Sequence, residues 1–190
     1  TRLRTVTGVQ TCALPISTAV GHLRGQAAVT RGGARVGDVV AICGSPGRAA
    51  AGLAALMAGR GDDVPATLVA AHVRPQPNYH AAAAAADAGA TAMIDTSDGL
   101  LVDLGHLAAA SGVVVDIDPA QLPIDADIDA AAALLDHDSV TWRLAGGEDH
   151  LVLATFPPRT ALPPGFTLLG TASEHSGGDE PRVLVCGRPW

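Results

Sequence analysis

The chain has 190 residues, 48% of them hydrophobic and 16% charged, with a formal net charge of −7. This is the length of one ordinary domain, or of one domain plus a remnant of another, and the composition excludes a disordered chain. The acidic balance argues against a nucleic acid held through its phosphates, and the longest apolar runs, such as Ala81 to Ala86, are too short and alanine-rich to span a bilayer. All twelve basic residues are Arg. A P-loop lysine, a Schiff-base lysine and a Ser-Lys nucleophile pair are therefore excluded. The three cysteines, Cys12, Cys43 and Cys186, are far apart and form no CxxC pair. That pattern fits a reducing, cytoplasmic compartment better than a disulfide framework.

Residues 1–17 read TRLRTVTGVQTCALPIS and contain no acid. The string VQTCALPIS looks like translated sequencing adapter, so this tract is expected to be non-native. Residues 18–35 are expected to be the remnant of a missing N-terminal domain and its linker. Within them, Thr18 to Val29 reads as a strand taken from that domain.

From Val36 the pattern clears, and residues 36–190 are expected to form one domain. Val39 to Cys43 predicts a strand, and Gly44 to Gly47 a turn. Helices follow over Ala49 to Ala58, Pro65 to Val73 and Asn78 to Ala88, each stopped by Gly or Pro. Ala90 to Ile94 predicts a strand. Asp98 to Ala110 predicts an amphipathic helix with Leu100, Leu101, Leu104 and Leu107 on one face. Val113 to Ile117 predicts a strand and Ile128 to Leu135 a helix. His150 to Phe156, Phe166 to Gly170 and Arg182 to Val185 predict three more strands, with Ser176 to Pro181 a polar turn. Alternating helices and strands imply an α/β or α+β layer fold.

Three strings carry candidate chemistry. The first, Ile94-Asp95-Thr96-Ser97-Asp98-Gly99-Leu100, lies where a strand ends and a helix begins. Free backbone N–H groups at such a junction favour a phosphate, and Asp95 and Asp98 offer carboxylates of the kind Mg²⁺ takes beside it. The plainer reading is that Thr96, Ser97 or Asp98 only caps the helix. The second, Ala145 to His150, sets the acids Glu148 and Asp149 on a glycine turn, open either to a cationic ligand or to solvent. The third, Gly44 to Arg48, is a tight strand-to-helix turn without Walker spacing. Asp125 to Asp129 imitates a calcium loop, but Ala130 and Asp136 stand where Gly and Glu are needed, so helix capping is expected. The seven histidines form no HxxxH pair, which disfavours zinc.

Together with Thr30 to Asp38 and His72 to Pro75, these strings resemble the thiamine-monophosphate kinases. That family belongs with aminoimidazole ribonucleotide synthetase and selenophosphate synthetase. The resemblance implies the C-terminal domain of that fold, a mixed sheet covered by helices. It implies ATP- and Mg²⁺-dependent phosphorylation of thiamine monophosphate to thiamine diphosphate. Asp95 and Asp98 would bind Mg²⁺, Arg31 and Ser97 would contact ATP, and Glu148 would contact thiamine monophosphate. The full-length protein would be a cytoplasmic homodimer, and this chain, lacking half the active site, would be inactive alone. Two departures stand out. Arg48 occupies a position where the family usually has an acid, and His150-Leu151 stand in place of Tyr-Glu. Trp190 does not map onto the aromatic that covers the substrate in the family. The alternatives are a related ATP-dependent ligase, disfavoured by Gly146 to Asp149, and a non-catalytic small-molecule-binding domain, disfavoured by intact Asp95, Ser97 and Asp98.

Overall fold

The computed structural model describes residues 27–175 and 183–190. The adapter-like tract, most of the expected strand over 18–29 and the turn over 176–181 lie outside the described residues. Seven strands form one sheet: β1 (Val39–Cys43), β2 (Ala92–Asp95), β3 (Val114–Ile117), β4 (Val152–Phe156), β5 (Phe166–Ser173), β6 (Val183–Val185) and β7 (Arg188–Pro189). Six helices accompany them: α1 (Arg48–Met57), α2 (Ala66–Val73), α3 (Tyr79–Asp87), α4 (Leu100–Ser111), α5 (Ala126–Leu134) and α6 (Ser139–Ala145). The fold is thus a mixed α/β layer, as the alternation of patterns predicts.

The sheet order is β2-β4-β1-β5-β3-β6-β7. β1, β2 and β3, the strands that lead into helices, all run the same way. They are not neighbours, because β4 inserts between β2 and β1 and β5 between β1 and β3, each antiparallel to both flanks. Among the described residues, only β3 and β6 pair in parallel. The ends of three connections meet as a consequence. Val152, first in β4, lies opposite Cys43, last in β1, and opposite Asp95, last in β2. The segments 44–47, 96–99 and 146–150 therefore lie at one level, at the same end of these three adjacent strands.

Side-chain alternation divides the core. Val40, Ile42, Leu153 and Leu169 face α4, whose Leu100, Leu101, Leu104 and Leu107 are buried against them. Ala41, Ala154 and Phe156 face the other way and pack with Ala85 of α3. A third cluster joins α1, α2, α5 and α6 through Ala55, Leu68, Ile128 and Trp142. The sequence pattern misses α6. This seven-residue helix spans only two turns, too few to show a helical period, and it is started by Asp138, whose carboxylate accepts from the N–H groups of Val140 and Thr141. Asp125 caps α5 in the same way, which fulfils the capping reading of that acidic run. No helix among the described residues is long and apolar enough to cross a membrane.

Candidate functional site

The strings 94–100 and 145–150 are sewn together beyond the ends of β2 and β4. Glu148 N–H donates to the Ser97 carbonyl at 2.8 Å, and His150 N–H donates to the Thr96 carbonyl at 2.9 Å. Thr96 N–H donates to the Leu151 carbonyl at 3.0 Å, while Leu151 N–H donates to Thr96 Oγ1 at 3.0 Å. Thr96 is buried, and its role is to join the two loops. The approach is close enough to demand glycine. A Cβ on Gly147 would lie 2.7 Å from the Ser97 carbonyl oxygen, and one on Gly99 would lie 2.8 Å from that of Ala145.

The acids of the second string do not share one fate, contrary to the picture of an acidic pair on an exposed turn. Glu148 is exposed, but Asp149 turns inward. Its Oδ2 accepts from Gly47 N–H at 2.6 Å and its Oδ1 from Ala49 N–H at 2.9 Å. It thus satisfies orphan donors at the start of α1, where no local side chain does so. Burial pushes its carboxyl above the ordinary value, although the two N–H donors and the nearby Arg48 and His150 act against that rise. With Asp149 tied inward, the residues on either side take left-handed backbone, φ 66° at Glu148 and 51° at His150. Both side chains are then carried toward β2. The His150 ring lies with Nδ1 3.2 Å from Asp95 Oδ2 and Nε2 3.5 Å from Glu148 Oε2.

On the other string, neither Thr96, Ser97 nor Asp98 caps α4. The N-cap is Gly99. Asp98 N–H instead donates to Oδ2 of the buried Asp103 at 3.0 Å. Burial pushes the Asp103 carboxyl up, and the charges of Asp98 and Asp95 push it further, against the pull of the N–H groups of Asp98 and Gly99. Ligand atoms of Asp98, Asp103 and His106 lie within 4.8 Å of one another. Sequence reasoning passed over Asp103. The available signal was an acid on the leucine stripe of α4, between Leu100 and Leu107, where a solvent-facing role is not open to it.

The structure therefore brings Asp95, Ser97, Asp98 and Glu148 to one end of these strands. The segment that carries Arg31 runs beside β2, where the Thr30 carbonyl accepts from Met93 N–H, and the Arg31 carbonyl accepts from Ser111 Oγ. Arg48 is engaged by acids of its own, with Nη1 2.6 Å from Asp125 Oδ2 and Nη2 3.1 Å from Asp127 Oδ2. A cleft of about 410 Å³ opens beside Asp95 and His150, walled by Tyr79, Met93, Ile94 and Val152.

Residues 35–148, more than half of the chain, match the family described as AIR synthase related protein, C-terminal domain. The chain belongs to this family. Among curated proteins, it is 46% identical over 174 residues to a thiamine-monophosphate kinase of Mycobacterium tuberculosis, covering 91% of this chain and 50% of that one. It is 40% identical over 161 residues to a thiamine-monophosphate kinase of Corynebacterium glutamicum, covering 83% and 48%. The chain thus spans about half the length of these relatives. Among solved structures, the thiamine monophosphate kinase from Aquifex aeolicus superposes with a TM-score of 0.76 at 30% identity, over 85% of this chain and 54% of that one. A structure of AaThiL complexed with AMPPCP and TMP gives a TM-score of 0.71 at 31% identity, over 85% and 52%.

For an AIR synthase-related domain, the donor set at this end suits a hard cation. Asp95 and Asp98 are exposed and offer carboxylate oxygens, the ligand type that Mg²⁺ prefers, and leave room for water and phosphate oxygens. The charges of both also act on the buried Asp103, whose carboxyl they help to raise.

Proposed function

We propose that the full-length protein phosphorylates thiamine monophosphate to thiamine diphosphate, with ATP as donor and Mg²⁺ as metal. The observation that carries this reading is the stitching of Thr96–Ser97 to Glu148–His150, which gathers two carboxylates, a hydroxyl and a third carboxylate at one end of the strands. The same reading is supported by the similarity to curated thiamine-monophosphate kinases. Residues 36–190 supply the C-terminal α/β domain, and an N-terminal domain supplies the remaining nucleotide and metal ligands. The whole protein works as a cytoplasmic homodimer with no membrane or nucleic-acid partner.

The chemistry asks little of the protein in proton transfer. The acceptor is a phosphate monoester, whose second pKa is about 6, so its oxygen is already anionic at neutral pH. The task is to align two anions and offset their repulsion. Asp95 and Asp98 hold Mg²⁺, which supplies the positive charge when bound. Ser97 hydrogen-bonds the nucleotide phosphates, and Arg31 reaches the nucleotide from the adjoining segment. Glu148 faces the positive thiazolium ring of the acceptor. Lysine is needed at no step, in keeping with its absence from the chain.

The test joins this chain behind the N-terminal half of the Mycobacterium tuberculosis relative and supplies ATP, Mg²⁺ and thiamine monophosphate. Thiamine diphosphate is expected from the joined protein, with a loss of at least about 100-fold in Asp98→Ala, the scale of losing one preorganised charge-stabilising group. No product from a folded, ATP-binding protein would turn the assignment to a related ligase or a non-catalytic binder.

A further inference from the structure

We propose that His150 is a positioning residue that mechanically couples the Asp95 carboxylate to the Glu148 carboxylate, so that a cation arriving at Asp95 reorients Glu148. The inference rests on the proposed function for the meaning of the two acids, but its geometry belongs to this chain alone. Among the described residues, His150 is the ring that reaches both: 3.2 Å from Asp95 Oδ2 and 3.5 Å from Glu148 Oε2. Each carboxylate is more than half exposed, 60% for Asp95 and 65% for Glu148, whereas the His150 side chain is only 31% exposed. Two exposed acids thus share one less exposed ring.

The backbone that carries the ring is fixed on both sides. His150 N–H donates to the Thr96 carbonyl, Leu151 N–H donates to Thr96 Oγ1, and the neighbouring Asp149 is tied to the start of α1 through Gly47 and Ala49. The left-handed backbone at His150, φ 51°, is a conformation that costs an ordinary residue about 1–3 kcal/mol and persists where surroundings enforce it. An imidazole carries its two nitrogens within one rigid planar ring, at different edges. A shift of Asp95 toward a cation therefore moves the ring edge at Nδ1, and the Nε2 edge moves with it against Glu148. A phenol or an amide side chain offers no such pair of rigidly linked nitrogens. By reciprocity, what happens at Glu148 is felt equally at Asp95.

The experiment uses the joined protein described above as the parent chain, with Mg²⁺ alone, and reads the side-chain carboxyl ¹³C signals of Asp95 and Glu148 by NMR. In the parent chain, Mg²⁺ is expected to shift both signals along one common titration curve. In His150→Ala the Asp95 shift remains and the Glu148 shift is lost. His150→Gln, which keeps a donor but cannot span both acids, should lose the Glu148 shift too. It carries the test if the alanine variant's amide spectrum shows that it fails to fold. A Glu148 shift that survives in a folded variant overturns the coupling, as does an Asp95 shift in the parent chain with a silent Glu148. A silent Asp95 in the parent chain strikes at the metal reading itself, and takes the coupling with it. The failure of the one is thus distinguished from the failure of the other.

Discussion

At the scale of single residues, two buried or half-buried aspartates respond to pH in opposite directions. Burial works to raise the Asp125 carboxyl, but its hydrogen bonds and the charge of Arg48 outweigh that, and the carboxyl is held below the ordinary value. An acid depressed in the folded state lends stability above the unfolded value, and that stability is lost as pH falls through the folded value. Below about pH 4 the parent chain should lose stability through this pair. Arg48→Met leaves Asp125 buried without its cation, so the same carboxyl should then favour the folded state when protonated. Urea unfolding of both chains between pH 3 and pH 6 reads the change of slope, and parallel curves would refute it. Asp149 runs the other way. Its carboxyl is raised by burial, so its ionisation costs stability as pH rises from the unfolded value through the folded one. Asp149→Ala strips two N–H groups of α1 of their acceptor. The expected loss is about 1–3 kcal/mol, measurable by urea unfolding at neutral pH, with weakening of the loop that sets Glu148 and His150.

At the scale of elements, α4 does two things with one face. Leu100, Leu101, Leu104 and Leu107 are buried against the sheet, while Asp103 on the same side holds the turn that presents Ser97 and Asp98. Packing thus fixes the helix, and the helix fixes the site. Leu104 is fully buried, so Leu104→Ala should cost about 2–5 kcal/mol, read as a lower urea midpoint. A loss below about 1 kcal/mol would mean that α4 is not the keystone of this face. The Arg48 position illustrates the converse. The acidic N-terminus of α5, Asp125 and Asp127, receives the arginine that departs from the family pattern, so that departure is absorbed by an ion-pair network rather than left pointing into the site.

At the scale of the whole molecule, the site is an outcome of strand order. Val152 opposite both Cys43 and Asp95 brings connections over 100 residues apart in sequence to one end of the strands. The chain spans about half the length of its curated relatives, and a cleft opens beside Asp95 and His150. In the joined protein, chelating the divalent cation should abolish thiamine diphosphate formation and leave the unfolding midpoint within about 1 kcal/mol of its starting stability, since only exposed carboxylates lose their ligand. Turnover that survives chelation would remove the metal role from Asp95 and Asp98.

The amino-acid sequence alone determined most of the described strands and helices, the short α6 and β7 excepted, because short-range periodicity and Gly/Pro punctuation act within a dozen residues. It also determined that Asp95, Ser97, Asp98 and Glu148 deserve notice, through their glycine-flanked strings. It did not reveal that β4 and β5 slot between strands that look like successive parallel partners, since hydrogen-bonded neighbours far apart in sequence leave no periodic trace. Nor did it reveal that Asp149 turns inward while Glu148 faces out. That difference between adjacent acids is decided by two N–H groups on a helix that begins 100 residues earlier. His150 was visible only as a departure from a pattern. The tertiary structure made it a bridge, because only folding brings the end of β2 within reach of its ring.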